Sequence, residues 1–161
     1  MKKTLRDELN IRHAFSKAMT AYPPILNRDV SITPSSKLKI KVLVFDTDKT
    51  MQKWWKMCFN NSIKGAAAAV NSMSGTITSS EGIVRSVFDK NYIAVVVFNK
   101  KFLGTEVITH EASHIGFAYA KRIKNSPFAE YGDFDEELVA YPTGRAASNI
   151  VSLLYKHNIF E

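Results

Sequence analysis

The chain has 161 residues, a length typical of one domain and sufficient to bury a core without disulfides. Hydrophobic residues make up 45% and charged residues 23%, which excludes wholesale disorder, collagen-like structure and coiled coils. The single cysteine, Cys58, excludes an intramolecular disulfide and metal sites built from several cysteines. It also favours a reducing compartment, so we expect one cytoplasmic domain over residues 1–161.

The net charge of +7 is concentrated at the beginning of the chain. Residues 1–64 carry 13 basic and 5 acidic groups, whereas residues 110–161 carry 5 and 7. Such a basic region either keeps the protein in solution or meets nucleic acid or another acidic partner. The longest apolar runs, 66–70 and 93–98, are far shorter than the ~20 residues of a membrane span, so we predict no membrane segment.

The first half of the chain alternates between helix, connection and strand signals. A helix is predicted over 4–21, and a connection rich in Pro and Ser completes residues 1–36. A strand is predicted over 37–45, where polar and apolar residues alternate before a wholly apolar end. Asp46-Thr47-Asp48 predicts the cap of a helix that runs to about residue 60. The alanine-rich residues 63–70 fit either a strand or a helix.

Three short strands are predicted next, over 76–79, 82–87 and 92–98, and the last is the strongest because it is β-branched and aromatic throughout. Residues 37–103 are therefore expected to form a sheet with one helix. Two helices are predicted within residues 104–161. The first has Thr105 as its N-cap and runs to about residue 124, and the second ends at about residue 157. Pro142 predicts a kink or break in that last helix. We expect an α+β fold with a small, mostly antiparallel sheet.

One motif in the predicted 104–124 helix carries chemistry. His110-Glu111-Ala112-Ser113-His114 has the pattern H-E-x-x-H. Residues four apart lie on one helix face, so both imidazoles can reach one zinc ion at about 2.0–2.1 Å. Glu111 then lies beside the metal without binding it and can take a proton from a zinc-bound water. The alternative interpretation is an exposed pair of helix histidines without a ligand.

A catalytic zinc site usually has three protein ligands and one open position. The candidates for the third ligand are His13, His157, Asp133, Asp135, Glu136 and Glu137. We prefer Glu137, with Glu136 as the alternative. Glu137 shares a helix face with Ala140 and Gly144, whose small size would let this helix approach the histidine helix. The acidic cluster also fits simple capping of the last helix.

The motif is followed about two dozen residues later by Glu-Glu-Leu-Val-Ala-Tyr-Pro-Thr-Gly. Together they resemble a minimal zincin-type metallopeptidase domain of the gluzincin kind. The pattern is most similar to small metallopeptidase-like proteins encoded by bacteriophages, and more distantly to the ImmA/IrrE and SprT-like groups. The resemblance covers about residues 92–155. It implies a sheet packed against an H-E-x-x-H helix and a following Glu-bearing helix.

The resemblance also implies a function and a set of site residues. His110 and His114 match the histidine ligands of Zn²⁺, Glu111 the general base, and Glu137 the third ligand, with Glu136 as second choice. The chain would be a zinc-dependent hydrolase, most simply a metallopeptidase that cleaves a protein or peptide. A phage-encoded protein of this kind would act in the host cytoplasm.

Several assignments remain open at this stage. Tyr141 is a candidate donor to the substrate oxyanion, or else an aromatic packed beside Phe117 or Tyr119. The strand 95–98 is a candidate edge strand for an extended peptide. Trp54-Trp55 fits the core better than a substrate groove. The alternative function is a non-catalytic zincin-like binding protein that meets a host protein or nucleic acid through its basic first third.

Overall fold

The computed structural model describes residues 13–33, 37–72, 76–78, 84–86, 91–124 and 136–160. Residues 13–21 are helical and belong to α1. They are followed by β1 (Leu26–Ser31), β2 (Lys39–Phe45), α2 (Asp48–Phe59) and β3 (Ala68–Ser72). The second half contains β4 (Thr76–Thr78), β5 (Val84–Ser86), β6 (Tyr92–Asn99), a 3-10 turn (Lys100–Phe102), α3 (Thr105–Lys124) and α4 (Glu136–Lys156).

Four strands form one mixed sheet in the order β1-β2-β6-β3. The β1–β2 and β3–β6 pairs are antiparallel, whereas β2 and β6 run parallel. Strands β4 and β5 pair separately as a two-stranded antiparallel sheet. The α+β class is confirmed. The sequence left open whether 95–98 is an edge or a central strand. It is central, because β6 lies between β2 and β3, and β3 forms the edge on that side.

Each face of the sheet packs against its own pair of helices. On one face, Val42, Val96 and Phe98 lie in a core with α3 and α4. On the other, Leu43 and Val97 lie in a second core with α1 and α2. Side chains of a strand alternate between faces, so β2 and β6 are buried on both sides and read as nearly continuous apolar runs.

The structure differs from the prediction for residues 22–36, where β1 replaces part of the expected irregular connection. Leu26 and Val30 are buried against the α3–α4 side, and Leu26 pairs with Val44. The intervening residues are exposed, so the strand shows no clear apolar alternation. The open assignment of 63–70 is resolved in part as a strand, since β3 begins at Ala68.

Helix α2 begins and ends where the sequence predicts. The Thr47 hydroxyl accepts a hydrogen bond from the Thr50 N–H at 3.2 Å, which makes Thr47 the N-cap. The helix ends at Asn60, whose backbone is left-handed with φ of 54°. Trp54 and Trp55 are buried in the α1–α2 core, so their interpretation as core residues is confirmed.

Cys58 lies on the inner side of α2, half-buried against the α1–α2 core. Burial raises the pKa of its thiol to about 12. Because the thiolate is the reactive form, we expect alkylation of Cys58 at about pH 8 to be roughly 100-fold or more slower than that of an unperturbed thiol. Timed iodoacetamide labelling followed by intact-mass measurement tests this, with the urea-unfolded chain as control. Equal rates in the folded and unfolded chain would contradict it.

Helix α4 continues through Pro142, so the predicted break is wrong, whereas a kink at this position stays a prediction. The Pro142 side chain is buried in the helix, where its ring supplies apolar contact although it provides no N–H. Within the described residues, none of the helices combines the length and apolar character needed to cross a bilayer.

Candidate metal centre

Helix α3 is positioned by the central strand of the sheet. The chain leaves β6 at Asn99, makes the 3-10 turn, and begins α3 at Thr105. The Gly104 carbonyl accepts the first helical hydrogen bond from the Ile108 N–H at 3.0 Å, so Gly104 and not Thr105 occupies the N-cap position. Ile108, Ala112 and Ile115 anchor the inner face of α3 in the core, which turns His110 and His114 outward.

The two histidines of the motif meet on the exposed side of α3. The Nε2 atoms of His110 and His114 are 3.3 Å apart, and the rings are inclined at 75°. Two nitrogens that bind one tetrahedral zinc at about 2.0–2.1 Å lie about 3.3 Å from each other. A hydrogen bond between the rings would give the same separation. The separation therefore fits two ligands of one metal ion as well as it fits a hydrogen bond between the rings.

Glu111 differs from its histidine neighbours because it is buried, with only 7% of its surface exposed. Burial raises the pKa of its carboxyl, and the proximity of His114 and His110 opposes that rise. A carboxyl in this position holds a proton more readily than one in water. This is the property expected of a group that accepts and returns a proton near neutral pH.

The motif residues line a cavity of about 470 Å³ between α3 and the edge strand β3. From α3 come the three motif residues together with Phe117, Ala118 and Lys121, and from β3 come Ala68, Ala69, Val70 and Ser72. The small alanines of β3 leave room above the histidines. The cavity is therefore walled on one side by helix side chains and on the other by an extended backbone.

Glu137 and Tyr141 lie elsewhere. Both line a second hollow, of about 450 Å³, along α4 with Gly144, Arg145 and Ser148. Tyr141 is 65% exposed, so it lies on the surface of α4 and not in the core. The structure thus brings together His110, Glu111 and His114, and it leaves the two α4 residues in a separate hollow.

The helix contact itself explains this placement. A Cβ on Gly116 would lie 2.0 Å from Thr143 Oγ1 and 2.8 Å from the Val139 carbonyl oxygen, so α3 and α4 touch there. Gly144 has open space around it, and Ala140 is exposed. The prediction that Ala140 and Gly144 permit the close approach is therefore wrong. The small residue at the contact belongs to α3.

The other candidate ligands are also apart from the histidine cavity. Glu136 is exposed at the start of α4, His157 follows the end of that helix, and His13 is exposed on α1 across the sheet. Asp133 and Asp135 lie outside the described residues. Within the described part of the chain, no group of three His, Cys, Asp or Glu side chains is arranged to hold a metal ion. The assignment of Glu137 as third ligand stays a prediction.

Sequence reasoning missed the other residues of the cavity. Phe117 and Lys121 follow His110 and His114 at helical spacing, so periodicity along α3 was a signal that could have identified them. The contribution of β3 had no such signal, because only the tertiary fold brings this strand beside α3.

Searches against protein-family models, curated proteins and solved structures gave no match to this chain.

Proposed function

We propose that the protein is a divalent-metal-dependent hydrolase that cleaves peptide bonds in the cavity between α3 and β3. The observation that carries this proposal is the 3.3 Å separation of the His110 and His114 Nε2 atoms beside the buried carboxyl of Glu111. Two converging imidazoles with a buried glutamate between them are not expected on a helix surface that only faces solvent.

His110 and His114 would hold the metal, and zinc suits a pair of imidazoles. When bound, such an ion supplies Lewis acidity, which polarises a carbonyl and lowers the pKa of water. The predicted further ligand is Glu137, with Glu136 as the alternative. Both lie on α4, whose contact with α3 at Gly116 is two residues beyond His114.

Glu111 would move the proton of the reaction. It takes a proton from the attacking water and returns it to the amine that leaves. Its burial supports this role, because partial exclusion of water raises the pKa of the carboxyl and strengthens its attraction for a proton. Since Glu111 lies one position after His110, it is beside both imidazoles without competing for their ligand.

The edge strand β3 supports a peptide as substrate. An edge strand offers unpaired backbone groups on its outer side, and an extended peptide can add to them as a further strand. Ala68, Ala69 and Val70 belong both to β3 and to the cavity wall. A peptide aligned there would lie directly against the motif helix. We infer that this chain is a zincin-like domain, in which the edge strand of the sheet lies beside a metal-binding helix.

Metal content is the experiment that tests the site. We expect the purified full chain to contain about one zinc per molecule by elemental mass spectrometry. His114→Ala should lose that zinc because one imidazole alone binds weakly. His157→Ala is the matched control and should keep it, since His157 lies outside the cavity. A zinc-free wild type after added zinc, or equal loss in both variants, would contradict the proposal.

The same measurement decides the third ligand. Glu137→Gln should weaken zinc retention during dialysis, whereas Glu136→Gln should not. The reverse result would assign the ligand to Glu136. Full retention in both variants would show that the ligand lies elsewhere in the chain.

A further inference from the structure

The described surface has a second distinctive feature on the side of the sheet opposite to the metal cavity. There, α1, α2 and β2 each carry exposed lysines, which we group under the name lysine face: Lys17, Lys39, Lys49, Lys53 and Lys56. We propose that the lysine face binds the phosphate backbone of duplex DNA. This inference does not depend on the metal site.

Helix α2 supplies the centre of the lysine face. Lys49, Lys53 and Lys56 are exposed and lie at positions i, i+4 and i+7, so they form one stripe along the helix. The opposite side of α2 is buried through Met51, Trp54 and Trp55. The stripe is therefore fixed outward by the core. It spans about 10.5 Å, at about 1.5 Å per residue.

This spacing suits a polyanion of high linear charge. Duplex DNA carries one phosphate charge per about 1.7 Å of its axis with both strands counted, or per about 3.4 Å on each strand, so the length of the stripe corresponds to about three phosphates of one strand. Lysines on a rigid helix meet such a surface without losing much further backbone freedom. Contacts of this kind neutralise phosphates and release counterions, and they need no base recognition.

The sheet extends the lysine face beyond α2. Leu43 and Phe45 of β2 pack into the α1–α2 core, and side chains alternate along a strand. Lys39 and Lys41 therefore lie on the same side of the sheet as α2. Lys41 pairs with Asp29 at 2.5 Å, whereas Lys39 is exposed at the start of the strand.

Within the described ranges 13–33 and 37–72, no carboxylate forms an ion pair with a lysine of the α2 stripe. Across 13–33 and 37–72, the acidic residues are Asp29, Asp46 and Asp48. Asp29 is occupied by Lys41 and by the Tyr92 hydroxyl at 2.6 Å, and Asp48 accepts from the Gln52 side chain at 2.5 Å. Lys53 Nζ lies 5.6 Å from the centroid of the Tyr22 ring, a contact that does not neutralise its charge. The charge of the stripe is therefore available to a partner.

Duplex DNA fits this face better than an anionic membrane. Peripheral membrane binding combines basic residues with apolar side chains that enter the lipid. On α2 the two tryptophans are turned inward and buried, and Met57 is the one large apolar side chain of the helix that is exposed, so the stripe offers mainly charge. This surface therefore matches duplex DNA, which a protein can bind through its charge density alone.

Salt-dependent DNA binding by the full chain tests the proposal. We expect fluorescence anisotropy with a labelled duplex of mixed sequence to show binding that weakens steeply as salt rises. The triple variant Lys49→Gln, Lys53→Gln, Lys56→Gln should bind at least about 10-fold more weakly at low salt, with the slope of log K against log salt reduced by about 2 to 3. Thermal unfolding confirms that the exposed substitutions leave the fold intact.

A second triple variant, Lys100→Gln, Lys101→Gln, Lys156→Gln, removes the same charge outside the lysine face and should keep at least half of the wild-type affinity. If both triple variants lost DNA affinity equally, net charge alone would explain the binding, and the proposal would be overturned. Absence of duplex binding at low salt would also overturn it. So would binding to phosphatidylserine vesicles in place of DNA.

Discussion

Replacement of Glu111 by Gln should leave the zinc content unchanged and reduce peptide hydrolysis by about 10²–10⁴-fold, the range that a positioned general base contributes. Gln keeps nearly the same shape in the buried position but cannot accept the proton of the attacking water. The imidazoles of His110 and His114 remain in place to bind metal. The measurement is digestion of a defined peptide mixture by the wild type and the variant, with products identified by mass spectrometry.

Glu106→Gln is the matched control for this experiment. Glu106 is exposed in the first turn of the same helix, so its substitution changes the charge of α3 equally but lies away from the cavity. We expect it to retain wild-type hydrolysis. Undiminished activity of the Glu111 variant would exclude this residue as the base. If the wild type bound zinc but did not hydrolyse peptides, the metal site would stand and the proposed hydrolase activity would be contradicted.

Gly116→Ala should destabilise the protein by about 2–3 kcal/mol, near the upper part of the range for overpacking a buried contact. The added Cβ would lie 2.0 Å from Thr143 Oγ1 and 2.8 Å from the Val139 carbonyl oxygen. Rotation of Thr143 can relieve the first clash, but the second involves the backbone of α4. The two helices must therefore move apart. Urea unfolding followed by tryptophan fluorescence measures the loss.

Gly144→Ala gives the opposite expectation and serves as the control. Gly144 is exposed within α4, and a Cβ there meets nothing within 4 Å. Because alanine favours the helix more than glycine does, we expect a gain of about 0.5–1 kcal/mol. Thr143→Ala added to the Gly116 variant should recover only part of its loss, since the carbonyl clash persists. Equal effects of the two single glycine variants would refute the close contact.

The sequence predicted the elements whose signals are local. Strand β6 is β-branched and apolar along its length, and α2 carries its N-cap at Thr47. Strand β1 was missed because Arg28 occupies the position between Leu26 and Val30 where an apolar residue would have shown the alternation. Pairing with β2 makes this segment a strand, and that pairing is not visible locally.

The site shows the same division between local and tertiary information. The H-E-x-x-H spacing predicted that His110 and His114 would lie on one helix face, and the structure places them so. The position of Glu137 depends on how α4 rotates against α3, which is set by the fit of Thr143 against Gly116. That rotation could not be predicted from the residue spacing or the composition of α4. The alanines of β3 likewise gave no sign that they line a cavity, because only the packing of α3 beside them creates it.

Strand β6 connects the two cores of the protein, because its side chains point alternately into one core and the other. Val96 packs with the layer that carries the histidines, and Val97, one peptide bond away, packs with α1 and α2. The two helical layers share the sheet as their common support. Cooperative unfolding must therefore be transmitted through β2 and β6, and cavities opened at adjacent residues of β6 weaken different halves of the protein.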